Sequence, residues 1–364
     1  MRPQAVSVSL GAAQAALIAR PAPRAIARCV LFLSLILACA ACSSPPLPKL
    51  PKLNIDQERI AVAGMSSGAY MATQVHLAYS DHLIGAALVA GGPYGCAEAD
   101  VDTALGTCIT AKPAAPDASK LAAIATQRSL EEKLAPLAGL ARDRVVVLHG
   151  SQDGTVAEAV SRTSAQVYDT LAQDPSAAGL RVRWDAARAF GHTFPTQASG
   201  SACSQSAPPY LGNCAFDAAG MLMRELFNAE KASAPAQTTG ELRAFDQQSY
   251  LPDGADAMLA DRGYVYIPKS CFSKACGLLI AFHGCQQNAE KVGTAFVRDA
   301  GFNHWADALE VVVFYPQTRA SYLPLNPKAC WDWWGYTGKD YDTRSGVQIR
   351  WLANASAALG APLR

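Results

Sequence analysis

Short, continuously apolar runs alternate with stretches of helical periodicity along most of this chain. The apolar runs are 60–63, 86–90, 145–148, 263–267, 278–282 and 311–315; residues 180–184 alternate instead, with Leu180, Val182 and Trp184 on one face. Helical spacing recurs over 69–79, with Met71, Ala72, Val75 and Tyr79 sharing a face, and over 155–171, 215–227, 289–308 and 343–359. Strands that are apolar on both faces and alternate with helices predict a buried, mostly parallel sheet flanked by helices, the α/β class. A polar stretch at 229–240 either divides two domains or runs over the surface of one.

The first 50 residues contain Arg2, Arg20, Arg24, Arg28 and Lys49 and no acidic residue, and an apolar run at 30–41 follows the last arginine. That run is shorter than the ~18 apolar residues a membrane-spanning helix needs. A basic region, a short apolar region and small residues read as a secretory signal over 1–42. Cys42, followed by Ser43-Ser44, resembles a lipoprotein acceptor, so a lipid anchor there is the alternative to free secretion or a periplasmic location. A proline-rich tether is expected at 43–52, and one catalytic domain at 53–364. Beyond residue 50 the chain carries 26 Lys+Arg against 30 Asp+Glu, a formal balance of −4. This is no electrostatic footprint for nucleic acid.

Eleven cysteines are present, and Cys29, Cys39 and Cys42 fall in the signal. The rest follow one another as Cys96/Cys108, Cys203/Cys214, Cys271/Cys276 and Cys285/Cys330. An even count in an exported protein implies disulfides. Eight cysteines admit about 105 connectivities, and neighbour pairing is favoured because three of the pairs then close short loops. Metal ligation is disfavoured, since no C-x-x-C with accompanying histidine spacing occurs.

The chemistry concentrates at Gly64-Met65-Ser66-Ser67-Gly68, a G-x-S-x-G with a strand pattern before it and a helix pattern after it. A serine on such a turn is held in a strained backbone conformation, with its hydroxyl raised above the sheet. Ser66 is therefore the candidate nucleophile. Of the six histidines, His76, His82 and His304 sit in helical or polar surroundings that suggest structural or solvated roles. His149 and His283 each end a strand before a glycine, where a ring often supports the turn, and they are the alternative candidates for the base. His192, in Phe190-Gly191-His192-Thr193-Phe194-Pro195, lies on a loop that can aim a ring into a cleft, and is the preferred base. For the carboxylate, Asp153 follows the strand pattern at 145–148, and Asp185 is its rival at the end of 180–184. Asp153 also suits a helix cap. The order Ser66, Asp153, His192 is that of an α/β-hydrolase.

An oxyanion hole needs two N–H groups: that of Ser67, and one from a His-Gly loop normally placed upstream of the nucleophile. Here the His-Gly loop, His283-Gly284-Cys285-Gln286-Gln287, comes near the other end of the chain. The early strands of the fold are thus expected at the C-terminal side, as in a circularly permuted α/β-hydrolase, with 229–240 covering the joint between the old ends.

Together with Cys330-Trp331-Asp332-Trp333-Trp334-Gly335-Tyr336, these motifs make the chain resemble the secreted, single-domain polyhydroxybutyrate depolymerases of the permuted type. The resemblance spans nearly the whole chain after the signal. It implies a serine esterase acting on poly(3-hydroxybutyrate) or its oligomers through Ser66, His192 and Asp153. Ser67 and Cys285 would supply the oxyanion N–H groups, with Cys285 bonded to Cys330, and no metal or organic cofactor would be required. Trp334 is the expected substrate contact. A feruloyl or acetylxylan esterase, and a non-catalytic surface-binding protein on a hydrolase scaffold, are the alternative readings.

Overall fold

The computed structural model describes residues 46–235, 237–252 and 254–363; the expected signal and Cys42 lie outside them. Eight strands form one sheet: β1 (Ile55–Met65), β2 (Gly85–Val89), β3 (Arg144–Gly150), β4 (Arg181–Arg188), β8 (Glu241–Asp246), β9 (Arg262–Ile267), β10 (Cys276–Phe282) and β11 (Val311–Tyr315), in the order β4-β3-β2-β1-β10-β11-β9-β8. A small sheet holds β5 (Phe194–Thr196), β6 (Ser201–Ala202) and β7 (Leu211–Asn213), and a hairpin holds β12 (Ser321–Tyr322) and β13 (Leu325–Asn326). Read from β8 to β11 and then from β1 to β4, the large sheet runs 1-2-4-3-5-6-7-8, with only the second strand antiparallel. The fold is a circularly permuted α/β-hydrolase.

Burial on both faces explains the unbroken apolar runs: every residue of β2, β10 and β11 is buried. The helices are α1 (Ser67–Ala78), α2 (Val101–Leu105), α3 (Ala118–Leu130), α4 (Glu158–Leu171), α5 (Ala218–Leu226), α6 (Ala289–Val292), α7 (Ala295–Asp299), α8 (Phe302–Leu309) and α9 (Val347–Leu359). Helices α1, α3, α4 and α9 contribute to one apolar cluster and α5, α7 and α8 to the other, one on each sheet face: Trp331, Trp351 and Phe314 belong to the first, Phe194, Phe302 and Tyr315 to the second. Among the described residues no helix is long and apolar enough to cross a membrane.

Three local features differ from the sequence expectation. The helical pattern at 289–308 is broken into three pieces, because Gly293 (φ 60°) and Gly301 (φ 99°) adopt left-handed backbone conformations. The edge strand β8 carries exposed Glu241 and Arg243 and so shows no apolar run. Finally, residues 46–52, expected as part of a tether, join the compact unit that extends to the C-terminus. Leu50 is buried and donates its amide to the Tyr250 hydroxyl at 2.7 Å, and the Pro48 carbonyl accepts from the Asp246 amide at 2.8 Å. The segment 229–240 lies within that same unit, between α5 and β8.

Truncating Leu50 removes buried apolar surface and leaves a void at this edge of the core. Leu50→Ala is expected to cost about 2 kcal/mol, read as a fall of a few degrees in the thermal midpoint; an unchanged midpoint would show that the segment is a loose tether.

Candidate active site

The turn between β1 and α1 sets the position of Ser66. Its backbone sits at φ 56°, ψ −122°, a conformation costly for a residue with a side chain. The surroundings enforce it: the Ser66 amide donates to the Val89 carbonyl at 2.8 Å, and its carbonyl accepts from Ala69 and Tyr70. The flanking glycines are required by close approach. A Cβ on Gly64 would fall 2.0 Å from the Gly68 carbonyl oxygen, and one on Gly68 would fall 2.4 Å from the carbonyl oxygens of Phe282 and His283. The end of β10 is thereby pressed against the serine turn.

His192 Nε2 lies 2.9 Å from Ser66 Oγ, and its Nδ1 lies 2.8 Å from Asp153 Oδ2. The Asp153 side chain is fully buried. Burial alone would raise its pKa, but the hydrogen bond and charge of His192, with the Val156 and Thr155 amides, outweigh it and hold the carboxyl below its usual range. An ionised Asp153 only accepts, so His192 carries its proton on Nδ1 and presents a lone pair on Nε2 to the serine hydroxyl. Asp153 Oδ1 accepts from Thr155 and Val156 at 2.8 and 2.9 Å, so the carboxylate also organises the start of the segment leading to α4.

The small sheet fixes the histidine loop. Gly191 donates to Cys203, Phe194 to Tyr210, and the His192 amide to Ser206 Oγ, while the Cys203–Cys214 disulfide closes the same substructure. Four of the other histidines stand outside this hydrogen-bonded line. His76 is buried between Asp143 and Tyr168; His149 is buried with Nδ1 3.0 Å from Ser161 Oγ; His82 and His304 lie in a short turn and in α8. Asp185, on edge strand β4, faces Arg183 and Arg188.

The His283-Gly284-Cys285 loop lies directly beside the serine turn: a Cβ on Gly284 would come within 3.4 Å of Ser66 Cβ. Among the described residues the disulfides are Cys96–Cys108, Cys203–Cys214, Cys271–Cys276 and Cys285–Cys330. The last ties the loop to the tryptophan segment. That segment is folded around Asp332, whose two carboxylate oxygens accept from the amides of Trp334, Gly335, Tyr336 and Thr337 and from the Thr337 hydroxyl. Trp331 is buried against Phe282, Trp333 stacks on Tyr70 at 4.5 Å, and Trp334 meets Trp333 edge-on at 5.4 Å.

Ser66, Ser67, His192 and Cys285 open onto one cleft of about 580 Å³, walled by Tyr70, Trp333 and Trp334. Val101, Leu105 and Ile109 form another part of its lining, and Leu325 another. Sequence reasoning singled out Trp334 but missed Trp333, Tyr70 and the 101–109 segment. The spacing of Val101 and Leu105, one helical turn apart inside the Cys96–Cys108 loop, was the available signal.

No family model matches the chain. It is 34% identical over 305 residues to a poly(3-hydroxybutyrate) depolymerase of Delftia acidovorans, covering 82% of this chain but only 59% of that protein. It is 33% identical over 321 residues to a polyhydroxybutyrate depolymerase of Talaromyces funiculosus, covering 82% of this chain and 89% of the relative. Among solved structures it is similar to a serine-to-alanine variant of a PHB depolymerase complexed with an R3HB trimer, at 31% identity and a TM-score of 0.76, covering 86% of this chain and 98% of that one. The crystal structure of the PHB depolymerase from Penicillium funiculosum matches with a TM-score of 0.75 at 30% identity, covering 86% of this chain and 99% of that one. The permuted fold, the four disulfides and these likenesses over most of the length agree: the chain belongs to the polyhydroxybutyrate depolymerase family of carboxylic ester hydrolases.

Proposed function

We propose that this protein hydrolyses poly(3-hydroxybutyrate) or its oligomers, with Ser66 as nucleophile, His192 as general base and acid, and Asp153 as the group that orients His192. The observation that carries the reading is the hydrogen-bonded line from Ser66 through His192 to buried Asp153, open to an apolar cleft. Ser66 Oγ attacks the ester carbonyl as its proton passes to His192 Nε2. The tetrahedral oxyanion accepts from the N–H groups of Ser67 and Cys285, each worth about 3–4 kcal/mol in such sites. The alcohol leaves with the proton from His192. Water then attacks the acyl-enzyme, with His192 again taking the proton, and the hydroxy acid departs.

The cleft wall favours a polyester over a sugar. Trp334 and Trp333 give apolar contact, and the rim bears side chains that are unusually exposed for their type: Leu105 (58%) and Leu325 (66%) line the cleft, and Tyr322 (82%) and Leu323 (92%) extend the hairpin beside it. Such a patch suits a water-insoluble chain carrying a methyl group on every repeat. One depolymerase of like fold has been solved with an R3HB trimer. Four disulfides suit an oxidising compartment, in keeping with secretion or a periplasmic location.

The decisive assay is clearing of amorphous poly(3-hydroxybutyrate), run beside a feruloylated sugar; release of ferulate without clearing would overturn the substrate. Ser66→Ala and His192→Ala are each expected to abolish ester hydrolysis with the thermal midpoint unchanged, and wild-type turnover in either would refute the roles. Asp153→Asn is expected to lower kcat by a factor on the order of 10³–10⁴, because the ring loses its fixed tautomer. Because the folded pKa of Asp153 lies below its unfolded value, its ionised form stabilises the fold above about pH 4, and that stability is lost as pH falls further. Urea titrations between pH 5 and 3 should therefore show a shallower loss of stability in Asp153→Asn than in the parent; equal slopes would contradict the buried ionised carboxylate. Opening Cys285–Cys330, which spans 45 residues, is expected to cost about 4 kcal/mol in the chain-entropy model and to inactivate the enzyme, so full activity of Cys285→Ser with Cys330→Ser would count against the loop's need for an anchor.

A further inference from the structure

The catalytic steps above do not use His283, which the sequence places at the end of a strand before a glycine. It is completely buried, at the end of β10 and against Trp331. Its Nδ1 lies 2.7 Å from the Gly284 carbonyl oxygen, and its Nε2 lies 3.2 Å from the Thr318 amide nitrogen. A backbone amide only donates, so Nε2 is the acceptor and the ring proton sits on Nδ1, donating to Gly284. The Thr318 hydroxyl does not change this, because it donates to the Ala329 carbonyl at 2.6 Å. Burial, opposed by the bond to Gly284, lowers the pKa of the ring to about 4, so the neutral tautomer persists in mildly acidic solution.

The Gly284 carbonyl and the Cys285 N–H belong to one planar, trans peptide unit, in which the two bonds point in opposite directions. Fixing the carbonyl oxygen from one side aims the N–H to the other. The loop is anchored at its other amides as well: Gly284 N–H donates to Gln287 Oε1 at 2.8 Å, and Gln286 N–H to the Lys328 carbonyl at 2.7 Å. Gln287 is held in turn by its amide nitrogen on the Tyr210 carbonyl. The Cys285 side chain is tied to Cys330.

We propose that His283 is a positioning residue for the oxyanion hole: its Nδ1–H holds the Gly284–Cys285 peptide in the orientation that presents the Cys285 N–H to the reacting carbonyl. The inference rests on the reading of Ser66 as nucleophile, and it touches no substrate atom directly. It predicts an effect on the chemical step and not on substrate capture.

Three variants test it. Asn places an amide N–H where Nδ1 stood; Gln places it one bond further out, near the position of Nε2; Leu has none. Each is assayed on p-nitrophenyl butyrate for kcat and KM, on phenylboronic acid for inhibition, and for its thermal midpoint. A boronate forms a tetrahedral serine adduct, so its affinity reports the hole itself. His283→Gln and His283→Leu should lose kcat by about 10–100-fold with KM within about twofold, and boronate affinity should fall in step. His283→Asn should recover most of both. Unchanged kcat in the Gln variant, or equal losses in folded Asn and Gln variants, would overturn the proposal, and this pair decides even where Leu fails to fold. Ser66→Ala is measured in parallel: turnover there defeats the nucleophile assignment, whereas a dead Ser66→Ala with a fully active Gln variant defeats the role of His283 alone.

Discussion

The parallel pairing of β1 with β10 is the constraint on which the remaining structure depends. Gly64 pairs with Phe282 in the register, so the residues following each strand emerge side by side at the same sheet edge. One strand is followed by Ser66 and Ser67, the other by His283, Gly284 and Cys285. More than 200 residues separate them in sequence, yet the space between them is so small that Gly68 has no room for a β-carbon against the Phe282 and His283 carbonyls. The proposed nucleophile and oxyanion donors are brought together by sheet hydrogen bonds, which are far stiffer than any loop. Two adjacent parallel strands, β2 and β3, extend the same edge and deliver the carbonyl that holds Ser66 and the loop that carries Asp153.

Loops on that edge are then made rigid by different means. The histidine loop is closed by Cys203–Cys214 and by the hydrogen bonds of the small sheet. The His283-Gly284-Cys285 loop is anchored by Cys285–Cys330, and the tryptophan segment by a buried aspartate accepting from consecutive amides. Tyr70 links the Cys96–Cys108 loop to the tryptophan segment, donating its hydroxyl to the Cys108 carbonyl while its ring stacks on Trp333. Cross-links of this kind preorganise the site, and a preorganised site loses nothing to reorganisation at the moment of reaction.

Much of this was legible in the chain. Strands buried on both faces betray themselves as apolar runs, so β2, β3, β10 and β11 and their helical alternation were readable, and with them the permuted α/β order. The serine turn was readable because its glycines are imposed by contact distances, and the His192 loop because glycine and proline frame it. What sequence could not convey depends on side-chain direction. Trp331, Trp333 and Trp334 are near neighbours, yet Trp331 is wholly core, Trp333 is buried and also walls the cleft, and Trp334 is partly buried at the cleft. Edge strand β8 was invisible because its outward residues are charged. The helix at 289–308 was read as continuous because its periodicity survives Gly293 and Gly301, while its backbone does not. Residues 46–52 looked like a tether by their prolines, although Leu50 is part of the core.

The central claim is that the Ser67 and Cys285 amides share one oxyanion formed at Ser66. The most direct measurement is a crystal structure of the protein inactivated by an alkyl phosphonate ester, which leaves a tetrahedral phosphorus on the reactive serine. The account predicts phosphorus bonded to Ser66 Oγ, with one phosphonyl oxygen about 2.7–3.1 Å from both the Ser67 and Cys285 nitrogens. An adduct on another residue, or an oxygen turned away from the Cys285 amide, would contradict it.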